Sequence, residues 1–284
     1  MNNGIPTFVK WAGGKKQLLE QFKPFFPEKL ERYFEPFVGG GAVAFYIIKT
    51  YNPKEIFLSD INEELVNCLN VIKTDVKSLI KLLKKMKANH SKETYYKIRA
   101  EDPKLLCDVD RASRFIYLNK TCFNGLYRVN SKGGFNVPIG SYKNPAICSE
   151  EELREISHLL KNAKINTLQF YDAVKDAKKG DFIYFDPPYY PLKKESFTTY
   201  TKDNFLEKEQ KHLLEVFSEL DKKGCKVMLS NSDTPFIKGL YKDFHIGIVK
   251  ATRMINCDAT KRGKINEVVV TNYSVKSFNQ TKIL

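Results

Sequence analysis

Apolar runs and amphipathic stretches alternate along the first part of this chain. Residues 33–38 and 56–60 are short, mostly apolar runs that predict buried strands, and residues 42–51 and 63–73 have the apolar spacing of helices. A strand, a helix, a strand and a helix in this order are typical of a βαβ unit.

The last part of the chain repeats this alternation. The predicted elements are strands at 165–170, 182–185, 226–230, 245–249 and 268–273, with helices at 204–220 and 235–241. Strands separated by helices favour a mostly parallel sheet that is covered on both faces, so the predicted fold class is α/β.

The middle of the chain differs from both ends. Residues 76–160 are Lys-rich and mostly helical in pattern, with a polar, glycine-rich interruption at 119–145. We therefore predict one α/β domain made of residues 1–75 and 161–284, into which residues 76–160 are inserted as a mostly helical lobe.

Charge narrows the class of partner. The 284 residues include 47 Lys and Arg against 33 Asp and Glu, a formal net charge of +14, which favours a polyanion such as nucleic acid.

No stretch approaches the ~18 consecutive apolar residues of a membrane span, and the first residues lack the apolar core of a signal peptide, so a cytoplasmic protein is expected. The cysteines and histidines are scattered without metal-ligand spacing, so no metal is expected.

The first candidate chemistry follows the apolar run 182–185. Asp186-Pro187-Pro188-Tyr189 ends a predicted buried strand, and neither proline has a backbone N–H. The turn therefore offers acceptors to a ligand, namely the Asp186 carboxylate and nearby carbonyl oxygens, with the Tyr189 ring as a stacking face. Such a turn suits a planar amine, for example the amino group of a nucleobase. An ordinary strand-end turn is the alternative.

A glycine turn at the first strand–helix junction is the second candidate. Glu35-Pro36-Phe37-Val38 leads into Gly39-Gly40-Gly41, where the backbone can approach a ligand closely, and Asp60 follows about twenty residues later. A carboxylate at that position can accept both hydroxyls of a ribose. The spacing fits a nicotinamide dinucleotide and also S-adenosylmethionine, although Glu35-Pro36-Phe37 and the turn at Asp186 weigh against hydride transfer.

The amino-terminal segment contains the third candidate. Trp11, the only tryptophan, lies in Lys10-Trp11-Ala12-Gly13-Gly14-Lys15, between basic residues and beside a glycine pair. This segment can supply a flat wall and a positive charge to a cofactor, or only an aromatic anchor at a strand end.

In their order along the chain, namely the segment at Trp11, the glycine turn and the turn at Asp186, these three motifs resemble the Dam-type DNA adenine-N6 methyltransferases, the D12 class in its alpha arrangement, and especially the GATC modification methylases of restriction systems. Further segments at 124–130, 135–138, 229–233 and 262–264 extend the resemblance over nearly the whole chain. In the alpha arrangement, the inserted lobe recognises the target sequence.

The resemblance implies a Rossmann-like sheet that uses S-adenosylmethionine as methyl donor, without a metal. Together with the motifs it assigns cofactor binding to Trp11, Lys15, Phe37, Gly39, Gly41, Asp60 and Asp186; catalysis to Asp186, Pro187 and Tyr189; and DNA binding to Lys10, Phe123, Asn124, Leu126, Arg128 and Pro138. Ser141 departs from the family, in which many members carry Arg, and this puts one phosphate contact in doubt.

The expected activity is methyl transfer to adenine N6 in double-stranded GATC, with the target base flipped out of the helix. The expected role is protection of host DNA from a cognate restriction endonuclease, without a physical complex. The residues alone leave three alternatives open: a cytosine-N4 DNA or RNA base methyltransferase, a dinucleotide-dependent oxidoreductase and a non-catalytic DNA-binding protein. Asp rather than Ser at position 186 leans toward adenine.

Overall fold

The structure is a computed structural model that describes residues 4–131, 133–192, 205–252 and 264–275. Within these residues the strands are β1 Arg32–Glu35, β2 Glu55–Asp60, β3 Ala163–Thr167, β4 Phe182–Phe185, β5 Lys226–Ser232, β6 His245–Thr252 and β7 Lys264–Thr271. The α-helices are α1 Leu19–Phe22, α2 Ala42–Tyr51, α3 Glu63–Ala88, α4 Lys92–Ala100, α5 Asp108–Thr121, α6 Glu150–Leu159, α7 Phe170–Ala173, α8 Glu207–Lys222 and α9 Pro235–Leu240.

Most of the predicted elements are confirmed. α2 and β4 match their predicted ranges at both ends, because their apolar positions are buried as the pattern requires. The predicted strand 165–170 is wrong at its carboxyl end, since β3 stops at Thr167 and Phe170 begins α7. Leu168 and Gln169 are exposed between the two elements, so the apolar pattern does not continue along one strand.

Helix α3 is longer than predicted and is broken once. It starts at Glu63 behind the Asn62 side chain, which accepts the Leu65 N–H at 3.2 Å. Asp75 has non-helical φ and ψ angles of −143° and 53°, and its Oδ1 accepts the Ser78 N–H at 3.2 Å. Asp75 therefore caps a second helical segment, at the predicted boundary between the α/β domain and the lobe.

The chain divides into two compact units. The first unit comprises Met1–Lys16, Val38–Lys49 and Asp60–Thr167, and the second comprises Gln17–Phe37, Thr50–Ser59 and Leu168–Leu284. The predicted lobe, 76–160, falls wholly within the first unit, and its standing as a separate insertion stays a prediction.

Helix α3 is central to the first unit. It packs along α5 and α6, and α4 packs on α5. Buried side chains of α3 such as Leu69 and Leu83 contribute to this packing, and Arg111 of α5 donates to Glu64 at 2.5 Å. α5 ends at Thr121, directly before the candidate DNA-binding segment.

The described strands form one mixed, seven-stranded sheet, which confirms the α/β class. Within the second unit the strand order is β2-β1-β4-β5-β7-β6, with β2, β1, β4 and β5 parallel and β7 antiparallel to both of its neighbours. The chain passes from β1 to β2 on one side, and β4 lies on the other side of β1. Ligands of α/β sheets bind at such a reversal, beyond the carboxyl ends of the parallel strands.

The core of the second unit joins these strands to helix α8. Phe34, Ile183, Val227 and Val268, from four different strands, share one buried cluster with Phe217 of α8. This packing fixes the carboxyl ends of β1 and β4 against the rest of the sheet. In the described part of the chain, no helix is long and apolar enough to cross a membrane.

Candidate active site

The turn at 39–41 requires glycine. Gly39 and Gly41 have positive φ angles of 48° and 75°. A Cβ on Gly41 would lie 2.6 Å from Cζ of Phe45, and a Cβ on Gly39 would lie 2.9 Å from the Trp11 indole. The Gly41 N–H donates to the Val38 carbonyl at 2.8 Å and closes the turn at the start of α2. Larger residues would strain this backbone and displace the aromatic rings.

Asp60 lies beside this glycine turn. Its Oδ2 accepts the Gly39 N–H at 3.1 Å, and its Oδ1 accepts the Asn62 N–H at 3.0 Å. Burial raises the pKa of the Asp60 carboxyl above its ordinary value, although the backbone donors lower it. A carboxylate oxygen has two lone pairs, so both oxygens can still accept ligand hydroxyls such as those of a ribose.

Trp11 links the glycine turn to the candidate DNA-binding segment within the first unit. Its Cβ lies 3.1 Å from the position that a Cβ on Gly40 would take. The Trp11 ring lies 6.2 Å from the ring of Phe115 and 5.8 Å from the ring of Tyr127, measured between centroids. Tyr127 directly precedes Arg128, so one indole contacts both the turn predicted to bind a cofactor and the segment predicted to read bases.

Lys15 is buried in the amino-terminal loop, with only 4% of its surface exposed. Its Nζ donates to the Gly13 carbonyl at 2.6 Å, which fixes the position of the ammonium group. An ammonium with three donors is chemically suited to a carboxylate, as the predicted cofactor role requires.

A buried amide clamps Lys10. Asn119 accepts the Lys10 N–H at 2.7 Å through Oδ1 and donates through Nδ2 to the carbonyls of Lys10 and Gly125 at 2.9 and 3.0 Å. The Lys10 Nζ donates to the Tyr142 hydroxyl at 3.1 Å. Sequence reasoning missed Asn119, for which the only signal is a polar residue on the buried face of α5.

Two short segments, residues 126–131 and 133–138, face each other as the antiparallel arms of a short hairpin. The Asn136 N–H donates to the Arg128 carbonyl at 3.0 Å, and the Asn130 N–H donates to the Gly134 carbonyl at 2.8 Å. The Arg128 Nε donates to the Asn136 Oδ1 at 2.7 Å, so the facing residue orients the guanidinium. An oriented guanidinium suits the paired acceptors O6 and N7 of guanine.

Phe123 and Asn124 form the tight turn that precedes this hairpin. Asn124 has a φ of 56°, and the Phe123 N–H donates to the Pro138 carbonyl at 2.9 Å. The Phe123 side chain is 48% exposed. An exposed aromatic ring on a fixed turn can enter a base stack, which fits the predicted position of Phe123.

In the second unit, Asp186 and Pro187 follow a strand that is buried on both faces. Every residue of β4 is buried, between the parallel neighbours β1 and β5. Asp186 is partly exposed where the strand ends, and Pro187 beside it is buried. Burial, followed by the charge of Asp186, holds the pKa of the Tyr184 and Tyr189 hydroxyls well above the ordinary value. Both side chains are therefore neutral phenols.

The hydroxyl group of Tyr189 fixes its ring. It donates to the Glu267 Oε2 at 2.7 Å, and Glu267 is buried on β7. A hydrogen bond to a buried carboxylate is short and strong, so it holds the ring in the fixed orientation that a stacking face needs. Sequence reasoning missed Glu267, because a single acid within an apolar strand carries no motif.

Phe37 belongs to an aromatic cluster of the second unit. Its ring lies 5.6 Å from Phe170, 5.7 Å from Phe205 and 6.3 Å from Phe185, measured between centroids. Phe170 and Phe205 are further candidates for contact with a flat ligand. The sequence pattern places Phe170 at the end of a predicted strand, so it does not identify Phe170 as a candidate.

The candidate residues thus form three groups. Two of these groups belong to the first unit, and the third belongs to the second unit. In the first unit, Trp11, Gly39 and Asp60 lie together, and Lys10 contacts the turn that leads into the 126–138 hairpin. Phe37 and the residues 186–189 belong to the second unit. Arg262 and Gly263 lie outside the described residues, and among the described ones no His, Cys, Asp and Glu cluster could hold a metal ion.

A mixed α/β sheet with an acceptor turn after β4, and a glycine turn beside a ribose-type acid, is consistent with an S-adenosylmethionine-dependent methyltransferase. The family model described as D12 class N6 adenine-specific DNA methyltransferase matches residues 11–255. The chain belongs to this family.

Named relatives cover nearly the whole chain. The type II methyltransferase M.MjaIII of Methanocaldococcus jannaschii is 47% identical over an alignment of 289 positions, which covers 95% of this chain and 99% of the relative. The type II methyltransferase M1.LlaDCHI of Lactococcus lactis subsp. cremoris is 45% identical over 95% of this chain and 96% of its own length. A DNA adenine methylase of Vibrio cholerae is 36% identical over 93% of this chain and 94% of its own.

Family membership decides among the alternatives that the residues left open. The protein is an enzyme that transfers a methyl group to adenine N6 in DNA, and its family implies S-adenosylmethionine as the donor. It is neither a dinucleotide-dependent oxidoreductase nor a non-catalytic DNA-binding protein.

Proposed function

We propose that this enzyme methylates adenine within double-stranded GATC and flips the target base out of the helix to do so. The observation that carries the proposal is the acceptor turn of Asp186 and Pro187 at the carboxyl end of β4, which suits a planar amine. The choice of GATC is supported by the resemblance to GATC methylases at Lys10, Leu126, Arg128 and Pro138.

Residues of the first unit fit S-adenosylmethionine. Asp60 would accept the ribose hydroxyls, Trp11 would form a flat wall, and Lys15 would attract the carboxylate of the amino-acid end. Side chains at positions 39 and 41 would collide with neighbouring rings, so glycine keeps the approach of the ligand open. The family resemblance also assigns Phe37 to cofactor binding. When bound, this ligand supplies an electrophilic methyl group.

The target amine needs two acceptors. The adenine amino nitrogen shares its lone pair with the ring and is a poor nucleophile while it stays planar. The Asp186 carboxylate accepts one N6–H and the Pro187 carbonyl accepts the other, which frees the lone pair for attack. Carboxylates have an ordinary pKa of about 4 and are far too weak to deprotonate a neutral aryl amine. Asp186 therefore orients and polarises the amine, and the proton leaves with or after methyl transfer.

Base flipping explains two aromatic residues. A duplex hides the adenine amine, and extruding the base costs on the order of a few kcal/mol. Tyr189 offsets part of this cost by stacking on the extruded base, and its bond to Glu267 supports a fixed ring. Phe123, half-exposed on its turn, fills the space that the base leaves.

The proposed biological role is protection of host DNA from a cognate restriction endonuclease. Two of the relatives are named type II methyltransferases, which supports this role. No physical complex with the nuclease is implied.

A methylation assay tests the proposed specificity. Labelled S-adenosylmethionine is incubated with duplexes that contain GATC or a single-base variant such as GTTC. We expect label in GATC at adenine N6 and almost none in the variants. Equal labelling of GATC and GTTC would contradict GATC specificity, and label at cytosine would contradict the assignment of the base.

Replacing Arg128 with alanine should relax specificity at one guanine. We expect a loss of about 1–3 kcal/mol in discrimination at that position, because the guanidinium held by Asn136 provides paired donors. Methylation rates on duplexes with each of the four bases at each guanine position measure the effect.

Arg154→Ala is the matched control, since Arg154 pairs with Glu150 at an exposed position of α6 in the same unit. It should leave discrimination unchanged. A uniform loss on all sequences in Arg128→Ala would instead identify Arg128 as a phosphate contact.

A further inference from the structure

Two buried amides lie behind the acceptor turn in the second unit. Gln210 on α8 and Asn231 on β5 are both fully buried. The Gln210 Nε2 donates to the Pro188 carbonyl at 3.2 Å, and the Gln210 Oε1 accepts from the Asn231 Nδ2 at 3.0 Å. The two side chains therefore orient each other, and Gln210 connects them to the turn.

The same pair holds the chain beyond the turn. The Asn231 Oδ1 accepts the Tyr190 N–H at 3.2 Å and the Ser232 N–H at 2.8 Å. The Ser232 hydroxyl donates to the Tyr190 carbonyl at 2.7 Å. Three side chains from one helix and one strand thus fix three main-chain groups: the carbonyl of Pro188 and both polar groups of Tyr190.

This arrangement distinguishes the two proline carbonyls. The Pro188 carbonyl is occupied by Gln210, whereas no hydrogen bond from the described residues reaches the Pro187 carbonyl. Neither proline can donate, so Gln210 acts on the turn through the Pro188 carbonyl. Fixing the peptide that follows Pro188 limits the rotation of the peptide before it, which carries the Pro187 carbonyl.

We propose that Gln210 is a positioning residue for methyl transfer. By holding the Pro188 carbonyl, it sets the direction of the Pro187 carbonyl and the Asp186 carboxylate toward the two N–H groups of the target amine. The inference rests on the proposed roles of Asp186 and Pro187. Gln210 would affect the orientation of the two acceptors relative to the target amine. A displacement of acceptors by about 1 Å can lower a rate on the order of 10²-fold.

Sequence patterns contain one weak sign of this role. Gln210 lies three residues before Leu213 and seven before Phe217, both of which are buried on α8. It therefore belongs to the apolar face of an amphipathic helix, where a polar residue needs a partner. Its partner, the Pro188 carbonyl, lies 22 positions away in the sequence, on the loop after β4.

Single-turnover methylation of a GATC duplex by the full-length enzyme tests the proposal. Gln210→Met keeps the length of the side chain and removes the donor. We expect the rate at saturating S-adenosylmethionine and DNA to fall by about tenfold or more, while the KM values for both change less than about twofold. Val216→Ala is the control, since Val216 is buried on the same helix and its aliphatic side chain cannot form a hydrogen bond to the turn.

A second variant isolates the bond to the Pro188 carbonyl. Gln210→Glu keeps the size of the side chain and an oxygen that accepts from Asn231, but it replaces the donating nitrogen with oxygen. We expect the same loss of rate with unchanged KM values. Thermal melting identifies which variants are folded, and the comparison uses a temperature at which wild type, Val216→Ala and at least one Gln210 variant are folded.

Three results would overturn the inference: a wild-type rate in either folded Gln210 variant, equal losses of rate in a Gln210 variant and Val216→Ala, or failure of both Gln210 variants to fold, which would make the role structural. Asp186→Ala separates this inference from the proposed function. If Asp186→Ala is inactive and the Gln210 variants are fully active, only the positioning role is wrong. If Asp186→Ala is fully active, the proposed role of the acceptor turn is wrong.

Discussion

Replacing Asp186 with alanine should lower the methylation rate by about 10²–10³-fold while the protein stays folded and still binds DNA. The carboxylate lies where β4 ends, only partly exposed, beside the buried Pro187. In the proposed mechanism it accepts one of the two N6–H groups, and alanine leaves only the Pro187 carbonyl. The lone pair of the amino nitrogen then stays delocalised into the ring, so the loss of rate occurs in the methyl-transfer step. Single-turnover kinetics measure it.

Asp186→Asn is the matched control for this variant. Asparagine keeps one acceptor oxygen of similar position and removes the charge, so its loss of rate should be smaller than that of alanine. DNA binding and thermal melting should be close to wild type in both variants. Unchanged methylation by folded Asp186→Ala would refute the role of the carboxylate.

Replacing Asp60 with alanine should weaken binding of S-adenosylmethionine by about 10- to 100-fold. The carboxylate is held by the N–H groups of Gly39 and Asn62 and is proposed to accept the ribose hydroxyls. Hydrogen bonds to a charged group contribute about 1.5–3 kcal/mol, which corresponds to this change in Kd. Isothermal titration calorimetry measures the affinity. The turn of Gly39 also loses its acceptor, so part of the effect is lost preorganisation.

The raised pKa of Asp60 also predicts how the binding of S-adenosylmethionine depends on pH. Burial raises the pKa of the Asp60 carboxyl, so the carboxyl takes up a proton in the folded protein at a higher pH than in the unfolded chain. Affinity for S-adenosylmethionine should therefore fall as pH decreases through this raised pKa, because a protonated carboxyl accepts fewer hydrogen bonds. The contribution of Asp60 to folding stability has the opposite sign: it is greatest below the unfolded pKa and is lost as pH rises through the folded pKa.

Calorimetry and denaturation of wild type and Asp60→Ala across this pH range check both signs. The difference in free energy of unfolding, wild type minus variant, should decrease as pH rises through the window. Asp75→Ala is the control, since Asp75 caps the second segment of α3 and is expected to affect stability alone. An affinity that does not change between wild type and Asp60→Ala would contradict the ribose-binding role.

Local motifs account for the residues that sequence reasoning found. The motif of Gly39, Gly41 and Asp60 spans elements that are close together in the sequence. Neighbouring residues therefore determine most of its geometry. The positive φ angles of both glycines confirm that the turn needs them. Asp186 was found for a similar reason, because two prolines after a fully apolar run mark the end of a strand.

The residues that were missed act through distant partners. Asn119 binds the backbone of Lys10 across 109 positions, Glu267 accepts from Tyr189 across 78, and Gln210 binds the Pro188 carbonyl across 22. Each is a buried polar side chain whose partner lies on another element. A single sequence carries no record of these distances, since any polar residue on a buried face gives the same pattern.

The sequence by itself determined the α/β class, the position of most elements and the three motifs that resemble the family, because apolar spacing, glycine and proline act over a few residues. The tertiary structure alone decided the strand order β2-β1-β4-β5-β7-β6, the break of α3 at Asp75 and the partners of the buried polar side chains. Strand order and buried hydrogen bonds depend on which elements pack together, and that is settled by the burial of the whole apolar surface and by the need to pair every buried polar group.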